Sequence, residues 1–458
     1  MPSAGGLATG LREPHRQSGG VWIGWPGRTV PDDLAQRTSI AHELRASGML
    51  PVWLTEAEVA RYYQTMSNGV IWPLFHYLPE QIPLHVRHWD AYETVNERFA
   101  DAVASLHAPG DRIWVHDYQL MRLPALIRER IPDARIGFFL HIPFPVAELF
   151  AALPAREAVL RGLLGADLVG FHTSGYARHF CDAAARILGA GVTGPSIEFE
   201  GRVSRTGVFP MGVDAKALAA RAATPEVDRE IERLVAGGEG IDLFVGIDRL
   251  DYTKGIPRRL LAFERLLADH PELHERVRLI QVAVPSRTAV PAYRKFRQHV
   301  DAIVGRINGE FGTARWVPVH YLYRGLPESQ VLALYRAAHV MLVTPVRDGM
   351  NLVAKEFVAT RADEDGVLVL SEFVGAADEL TEALAVNPHD VDGSAAVYHH
   401  ALVMPREERR ARMRALRAHV LEYDVHVWAA SFLAALDAAG EPETGSTSPR
   451  KKRKRDAS

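Results

Sequence analysis

Three stretches of this 458-residue chain place charged side chains where an apolar run stops. In Gly246–Gly255 (GIDRLDYTKG), Arg249 and Lys254 fall in a loop between a strand-like run and a helical one. An arginine fork and a lysine point charge at that spacing suit a diphosphate, and they can absorb the negative charge of a departing nucleotide. The same two residues could instead form a surface ion-pair network with Asp248 and Asp251, and spacing alone favours neither reading. In Thr344–Glu356 (TPVRDGMNLVAKE), Asp348 and Gly349 make a turn, Asn351 suits a helix N-cap, and LVAKEF starts a helix whose first N–H groups can hold phosphate. Glu356 can accept hydrogen bonds from sugar or ribose hydroxyls. Equally, Asp348 can be a turn former and Glu356 a favourable charge near a helix start. In Trp114–Asp117 (WVHD) and Gly137–Pro145 (GFFLHIPFP), Asp117 and His141 end successive strand-like runs, where they can hold sugar hydroxyls. A lone histidine is more often satisfied by backbone groups.

Aromatic residues gather in Asn68–Tyr77 (NGVIWPLFHY) and His88–Tyr92 (HWDAY). Such residues stack on sugar faces or fill cores. Trp72 and Phe75 read as core, while Tyr77 and Trp89 sit beside polar residues. Glycine pairs in Ser3–Gly6 (SAGG) and Gly19–Gly27 (GGVWIGWPG) let backbone approach a ligand closely, a weak signal alone. No G-x-G-x-x-G follows a strand and there is no G-K-[ST] loop or G-x-S-x-G elbow, which disfavours a dinucleotide fold, a P-loop and a serine hydrolase. No D-x-D pair follows a strand, and His116, Asp117 and His141 form no strong ligand pattern, so neither metal nor cofactor is expected.

The elements that must position these residues are legible as apolar runs. Arg112–His116, Arg135–His141, Asp167–His172, Leu243–Ile247, Val277–Val284, Val340–Thr344 and Val367–Ser371 are continuously apolar rather than alternating, as strands buried on both faces are. Helical stretches such as Leu120–Arg130, Arg258–Asp269 and Glu328–Ala338 lie between them. The alternation predicts an α/β protein with parallel sheets. Residues 1–220 and 221–440 read as two such blocks, the latter ending in two helices within Pro405–Leu436, and 441–458 as a disordered tail. Gly191–Arg205 has weak periodicity. Ligands of parallel sheets bind beyond the carboxyl ends of the strands. Both blocks supply residues there, so a cleft between them is expected.

Composition agrees. Hydrophobic residues are 47% and charged residues 24%, which excludes a disordered chain or a fibre. Cys181, the single cysteine, excludes an internal disulfide and a cysteine-rich zinc site. No apolar run reaches the ~20 residues of a membrane span and Met1–His15 has no signal-like apolar stretch, so a cytoplasmic enzyme is expected. Net charge is −3, but Arg450–Arg455 (RKKRKR) leaves the tail at +3 and the body at −6. The acidic body argues against nucleic acid as a partner.

In order, SAGG, GWPG, SNGVIWPLFHY, HWDAY, WVHDYQL, GFFLHIPFP, IDRLDYTKG, PSR, RINGEFG, TPVRDGMNLVAKEF and GVLVLSEFVGAADEL resemble the trehalose-6-phosphate synthase family of retaining glycosyltransferases. The likeness runs from Ser3 to about Trp428. It implies a GT-B fold, two Rossmann-like domains facing a cleft. It also implies metal-independent transfer of glucose from UDP-glucose, or another nucleotide glucose, to glucose 6-phosphate with retention, and a homo-oligomer. By resemblance Arg249 and Lys254 bind the donor diphosphate and Gly5 and Gly6 close on the donor. Leu352, Val353, Ala354, Lys355 and Glu356 hold diphosphate and ribose, Glu356 on the ribose hydroxyls. Asp348 holds the transferred glucose and His141 meets its 6-hydroxyl. Trp89 helps set anomer choice, Tyr77, Asp117 and Arg287 bind the acceptor, Tyr77 and Arg287 on its phosphate side, and Trp25 lines the acceptor pocket. The family's opening strand ends in Arg-x-Pro ahead of SAGG, whereas this sequence starts Met1-Pro2-Ser3. The expectation is therefore either a start upstream of Met1 or weak acceptor binding, with an N-terminal sheet one strand short. The rivals are a pseudo-glycosyltransferase acting on cyclitols and a weakly active, sugar-phosphate-binding regulatory homologue.

Overall fold

The computed structural model describes residues 18–440 except 31–32, 237–239 and 288–289, together with Leu11, His15 and Arg16. Gly5, Gly6 and the basic tail 441–458 lie outside the described residues. Strands β1 (Trp22–Gly24) and β2 (Met49–Pro51) form a small parallel sheet. Strands β3 (Arg112–His116), β4 (Arg135–Phe139), β5 (Leu168–Phe171), β6 (Gly191–Thr193), β7 (Ser196–Phe199) and β8 (Arg202–Val208) form a second sheet in the order β3-β4-β5-β8-β7-β6. The third contains β9 (Asp242–Arg249), β10 (Val277–Val284), β11 (Val319–Leu322), β12 (Val340–Val343), β13 (Val367–Ser371) and β14 (Leu384–Val386), in the order β11-β10-β9-β12-β13-β14, all parallel.

The expected strands are all present, each within a few residues of its apolar run. Their unbroken apolar character follows from burial on two sides. In β9, Leu243, Val245 and Ile247 enter one apolar cluster while Phe244 enters the cluster on the other face. A strand with water on one face would need polar residues at one of those sets. The weakly periodic stretch Gly191–Arg205 turns out to hold an antiparallel edge, β6-β7-β8. Its turn chemistry was readable: Glu200 and Gly201, both at positive φ (48° and 77°), form the two-residue link that closes a tight hairpin. Short strands with exposed outer residues carry no periodicity strong enough to show.

The closing helix, Val425–Ala439, leaves the C-terminal half and packs on the second sheet against β4, β5 and β8. Phe432 is fully buried there, its ring stacked 4.5 Å from Trp114 at 6°. It fits because β4 and β5 carry glycine beneath it: a Cβ on Gly137 or on Gly170 would lie 2.7 Å from the ring. This helix straps the two halves together. Phe432→Ala is expected to cost about 3–5 kcal/mol of unfolding free energy. Urea denaturation checks this, and an unchanged midpoint would show that the strap carries no load.

Candidate active site

The carboxyl ends of the two large sheets meet across a seam. After β9 the chain turns through Asp251 and a short 3-10 turn, Tyr252–Lys254, into helix Ile256–Asp269. Gly255 (φ 67°) makes the entry; a Cβ there would lie 2.2 Å from the carbonyl oxygen of Thr344, which presses this loop onto the one after β12. Across the seam, a Cβ on Gly349 would lie 2.0 Å from the carbonyl oxygen of His141. The loops bearing Lys254, Asp348 and His141 are thus in direct backbone contact.

The surface ion-pair reading of Arg249 and Lys254 is not what forms. Asp248 is bonded instead to buried Arg259 (2.5 Å), and Asp251 accepts from Arg287 Nη1 (3.0 Å), the Tyr293 hydroxyl (2.8 Å) and Thr253 N (3.0 Å). Burial pushes the Asp251 carboxyl up, but Arg287 and Arg249 outweigh it and hold it at about 2. Lys254 is bonded to Asp348 Oδ2, with side chains only 10% and 13% exposed. Asp348 also accepts from Gly349 N (3.0 Å) and Asn351 Nδ2 (3.1 Å). Burial raises this carboxyl and Lys254 more than compensates, so it stays below the usual carboxylate range. Arg249 makes no ion pair among the described residues and stands half-buried, its guanidinium carbon 5.7 Å from the Trp72 ring centroid. That of Arg287 lies 4.0 Å from the same ring, and its Nη2 donates to the Tyr118 hydroxyl (3.2 Å). Trp72 is 4% exposed, so it is a core residue as expected, yet its face carries two cations.

Asp117 follows β3 at φ 75°, an uncommon backbone for a side chain with a Cβ, and its Oδ1 accepts from His141 N (3.1 Å). Burial pushes it up to about 6, opposed by the N–H groups of Tyr118 and His141 and by Arg249 and Arg287. His141 Nε2 lies 3.1 Å from His116 Nδ1. Burial drives both imidazoles far below 6.5, His116 to about 3, so both are neutral and one ring must donate to the other. Tyr118 and Tyr293 carry parts of this network that their sequence context gave no reason to single out, while Asp251 entered only as a surface ion-pair partner and His116 only as part of a weak ligand pattern.

The remaining sites separate into groups. Helix Leu352–Thr360 does begin beside Asp348, which places the backbone of Leu352, Val353 and Ala354 at the seam. Asn351 is not its side-chain cap: at φ 70° it makes no capping bond, its Nδ2 donates to Asp348, and its Oδ1, the atom that would cap, has no partner among the described residues. The Lys355 side chain turns away, donating to Met211 O (2.9 Å) and Glu379 Oε2 (2.6 Å). Glu356 accepts from the Tyr335 hydroxyl (2.8 Å), and burial raises its carboxyl above the usual range. Tyr77 (φ 63°) accepts at its hydroxyl from Val146 N (2.9 Å) and lies under Arg347 rather than against Arg287. Trp89 stacks on Tyr92 (4.8 Å, 17°), whose hydroxyl donates to Tyr118 O (2.7 Å). Trp25 packs on Tyr63 (5.2 Å) and donates to Arg28 O (2.8 Å). The structure therefore brings Asp117, His141, Arg249, Lys254, Arg287 and Asp348 together, and leaves Tyr77, Trp89 and Trp25 at its margins. A set with ligand spacing for a metal, His270, Glu272 and His399, shares no residue with this group.

The sequence profile described as glycosyltransferase family 20 matches residues 1–438. The chain belongs to that family. It is 46% identical over 449 residues to the trehalose-6-phosphate synthase of Mycobacterium avium, covering 96% of this chain and 91% of that one. It is 42% identical over 438 residues to the alpha,alpha-trehalose-phosphate synthase (UDP-forming) A of Dictyostelium discoideum, covering 95% of this chain but only 59% of that one. The chain thus spans about three fifths of the latter's length. The crystal structure of a UDP-forming alpha,alpha-trehalose-phosphate synthase from Burkholderia xenovorans in complex with glucose-6-phosphate superposes with a TM-score of 0.88 at 36% identity, covering 95% of this chain and 96% of that one. The fold expected from the family 20 motifs is therefore the one formed. No helix among the described residues is long and apolar enough to cross a membrane.

Proposed function

We propose that this family 20 protein transfers glucose from UDP-glucose to glucose 6-phosphate with retention, giving α,α-trehalose 6-phosphate. The observation that carries the reading is the seam itself: Arg249 without an ion-pair partner among the described residues and Lys254 held by Asp348, opposite Asp117 and His141. The relatives named trehalose-phosphate synthases supply the substrates. In this reading the 221–440 half takes the donor. Arg249 and Lys254 face its diphosphate and neutralise the charge that grows as UDP leaves. N–H groups at Leu352–Ala354 approach the same diphosphate, and Glu356 takes the ribose. Asp348 and neutral His141 hold the transferred glucose. The 1–220 half takes the acceptor, with Asp117 on sugar hydroxyls and Arg287 on the phosphate, while Tyr77, Trp89 and Trp25 form its outer wall. Gly5 and Gly6 belong to the donor side. Attack comes from the face UDP leaves, and the departing diphosphate accepts the acceptor's proton. The chain works as a homo-oligomer in the cytoplasm.

Arg287→Ala tests the acceptor assignment. Loss of a charge-assisted phosphate contact of about 2 kcal/mol raises KM for glucose 6-phosphate about thirtyfold. KM for UDP-glucose should stay within threefold. A matching rise in both would remove Arg287 from the acceptor side. The reading as a whole is tested by UDP release from UDP-glucose, measured with and without glucose 6-phosphate.

A further inference from the structure

A second cavity of about 390 Å³ opens between the halves, lined by Arg258, Arg347, His389, His76, Tyr77 and Phe373 among others. Among the described residues that line it there are two arginines and no carboxylate. Arg347 is clamped between the rings of Tyr77 (3.8 Å) and Phe373 (5.8 Å), and neither it nor Arg258 makes a hydrogen bond or ion pair among the described residues. Both are half-buried.

Arg258 stands in the first turn of helix Ile256–Asp269, where a cation meets the positive end of the helix dipole. That placement costs free energy unless an anion is near. His76 adds an unpartnered acceptor: it is 1% exposed, its Nδ1 donates to Trp72 O (2.8 Å), and its Nε2, free to accept from a ligand hydroxyl, has no partner among the described residues. Burial, and after it the fields of Arg258 and Arg347, lowers the basicity of His389. Two arginines from different segments, one rigidly stacked, an orphaned buried imidazole nitrogen and aromatic walls match a phosphoryl group carried on a small sugar-like body.

We propose that this cavity binds a phosphomonoester, its phosphoryl group between Arg258 and Arg347, at a subsite beside the reacting centre that shares Tyr77 as a wall with the acceptor side. The inference goes beyond the proposed function and stands without it. Arg347 immediately precedes Asp348, and Arg258 lies one turn after Lys254. A bound phosphate therefore ties both donor-side loops to segment 76–81 of the other half.

The test is calorimetric titration of the full chain with inorganic phosphate at matched ionic strength, for the wild type, Arg258→Ala and Arg347→Gln. The expected result is saturable binding weakened at least tenfold in each variant. Arg258→Ala should keep kcat and KM for glucose 6-phosphate within twofold. No saturable binding by the wild type, or equal affinity in the variants, would overturn the proposal. So would a tenfold rise in KM for glucose 6-phosphate in Arg258→Ala, since the cavity would then seat the acceptor's own phosphate. Because the binding arm needs no turnover, an inactive protein would count against the proposed function and leave this inference to be decided by phosphate alone.

Discussion

Arg249→Ala is expected to lower kcat about a thousandfold and leave the urea midpoint where it was. In the proposed function the Arg249 guanidinium faces the leaving diphosphate, where charge develops, and removing one such group costs about 3–4 kcal/mol of barrier. Arg249 has no ion-pair partner among the described residues, so its loss orphans no carboxylate. Lys254→Ala should differ. Its kcat falls comparably, but Asp348 is left buried without its cation, a loss on the order of 3 kcal/mol in stability. Adding Asp348→Asn to Lys254→Ala should restore the midpoint and leave turnover low. Steady-state kinetics with urea denaturation of the four proteins separates the two effects. A destabilised Arg249→Ala would make that residue structural rather than electrostatic.

Stability should fall steeply on mild acidification. His76 and His172 are buried, His116 and His141 half-buried, and all four are neutral: loss of solvent drives His76 to about 4, His116 and His172 to about 3, and His141 well below its usual value. In the unfolded chain each titrates near 6.5. Below that pH the unfolded state takes up protons the native state refuses, so stability is lost as pH falls. Asp117 runs the other way. Its native value of about 6 lies above the unfolded one, so the native state gains a proton first and offsets part of the loss. Between pH 7.5 and 5.5 each histidine costs on the order of 1 kcal/mol and Asp117 returns somewhat less than one of them does, so the net loss is on the order of several kcal/mol. That is a large part of a typical total stability. Urea unfolding at pH 7.5, 6.5 and 5.5 checks the slope, and a flat profile would mean that these imidazoles are protonated in the native state.

Much of this architecture could be read from residue order because the strands are buried on both faces and announce themselves as apolar blocks. Val277–Val284 and Val367–Ser371 are bounded in space as they are in the sequence. The β6-β7-β8 edge escaped because its strands are short and its outer residues wet. In the site, residues at strand ends were legible, since parallel topology fixes where those ends point. Illegible were the partners. Which carboxylate holds which cation depends on loops brought together across the seam, so Lys254 with Asp348 and Arg287 with Asp251 needed coordinates. Asn351 shows the same limit: local sequence makes it a cap, but in the fold its Nδ2 turns to the carboxylate three residues back and its Oδ1 makes no capping bond. Lys355 shows a related one, since helix position gave its backbone and tertiary packing decided its side chain.

The most direct measurement is UDP formation by the purified full chain with UDP-glucose alone, glucose 6-phosphate alone, and both. Transfer across the seam predicts UDP released only with both, in equal amount to a nonreducing disaccharide phosphate. UDP released at the same rate without acceptor, or none released with both substrates present, would contradict it.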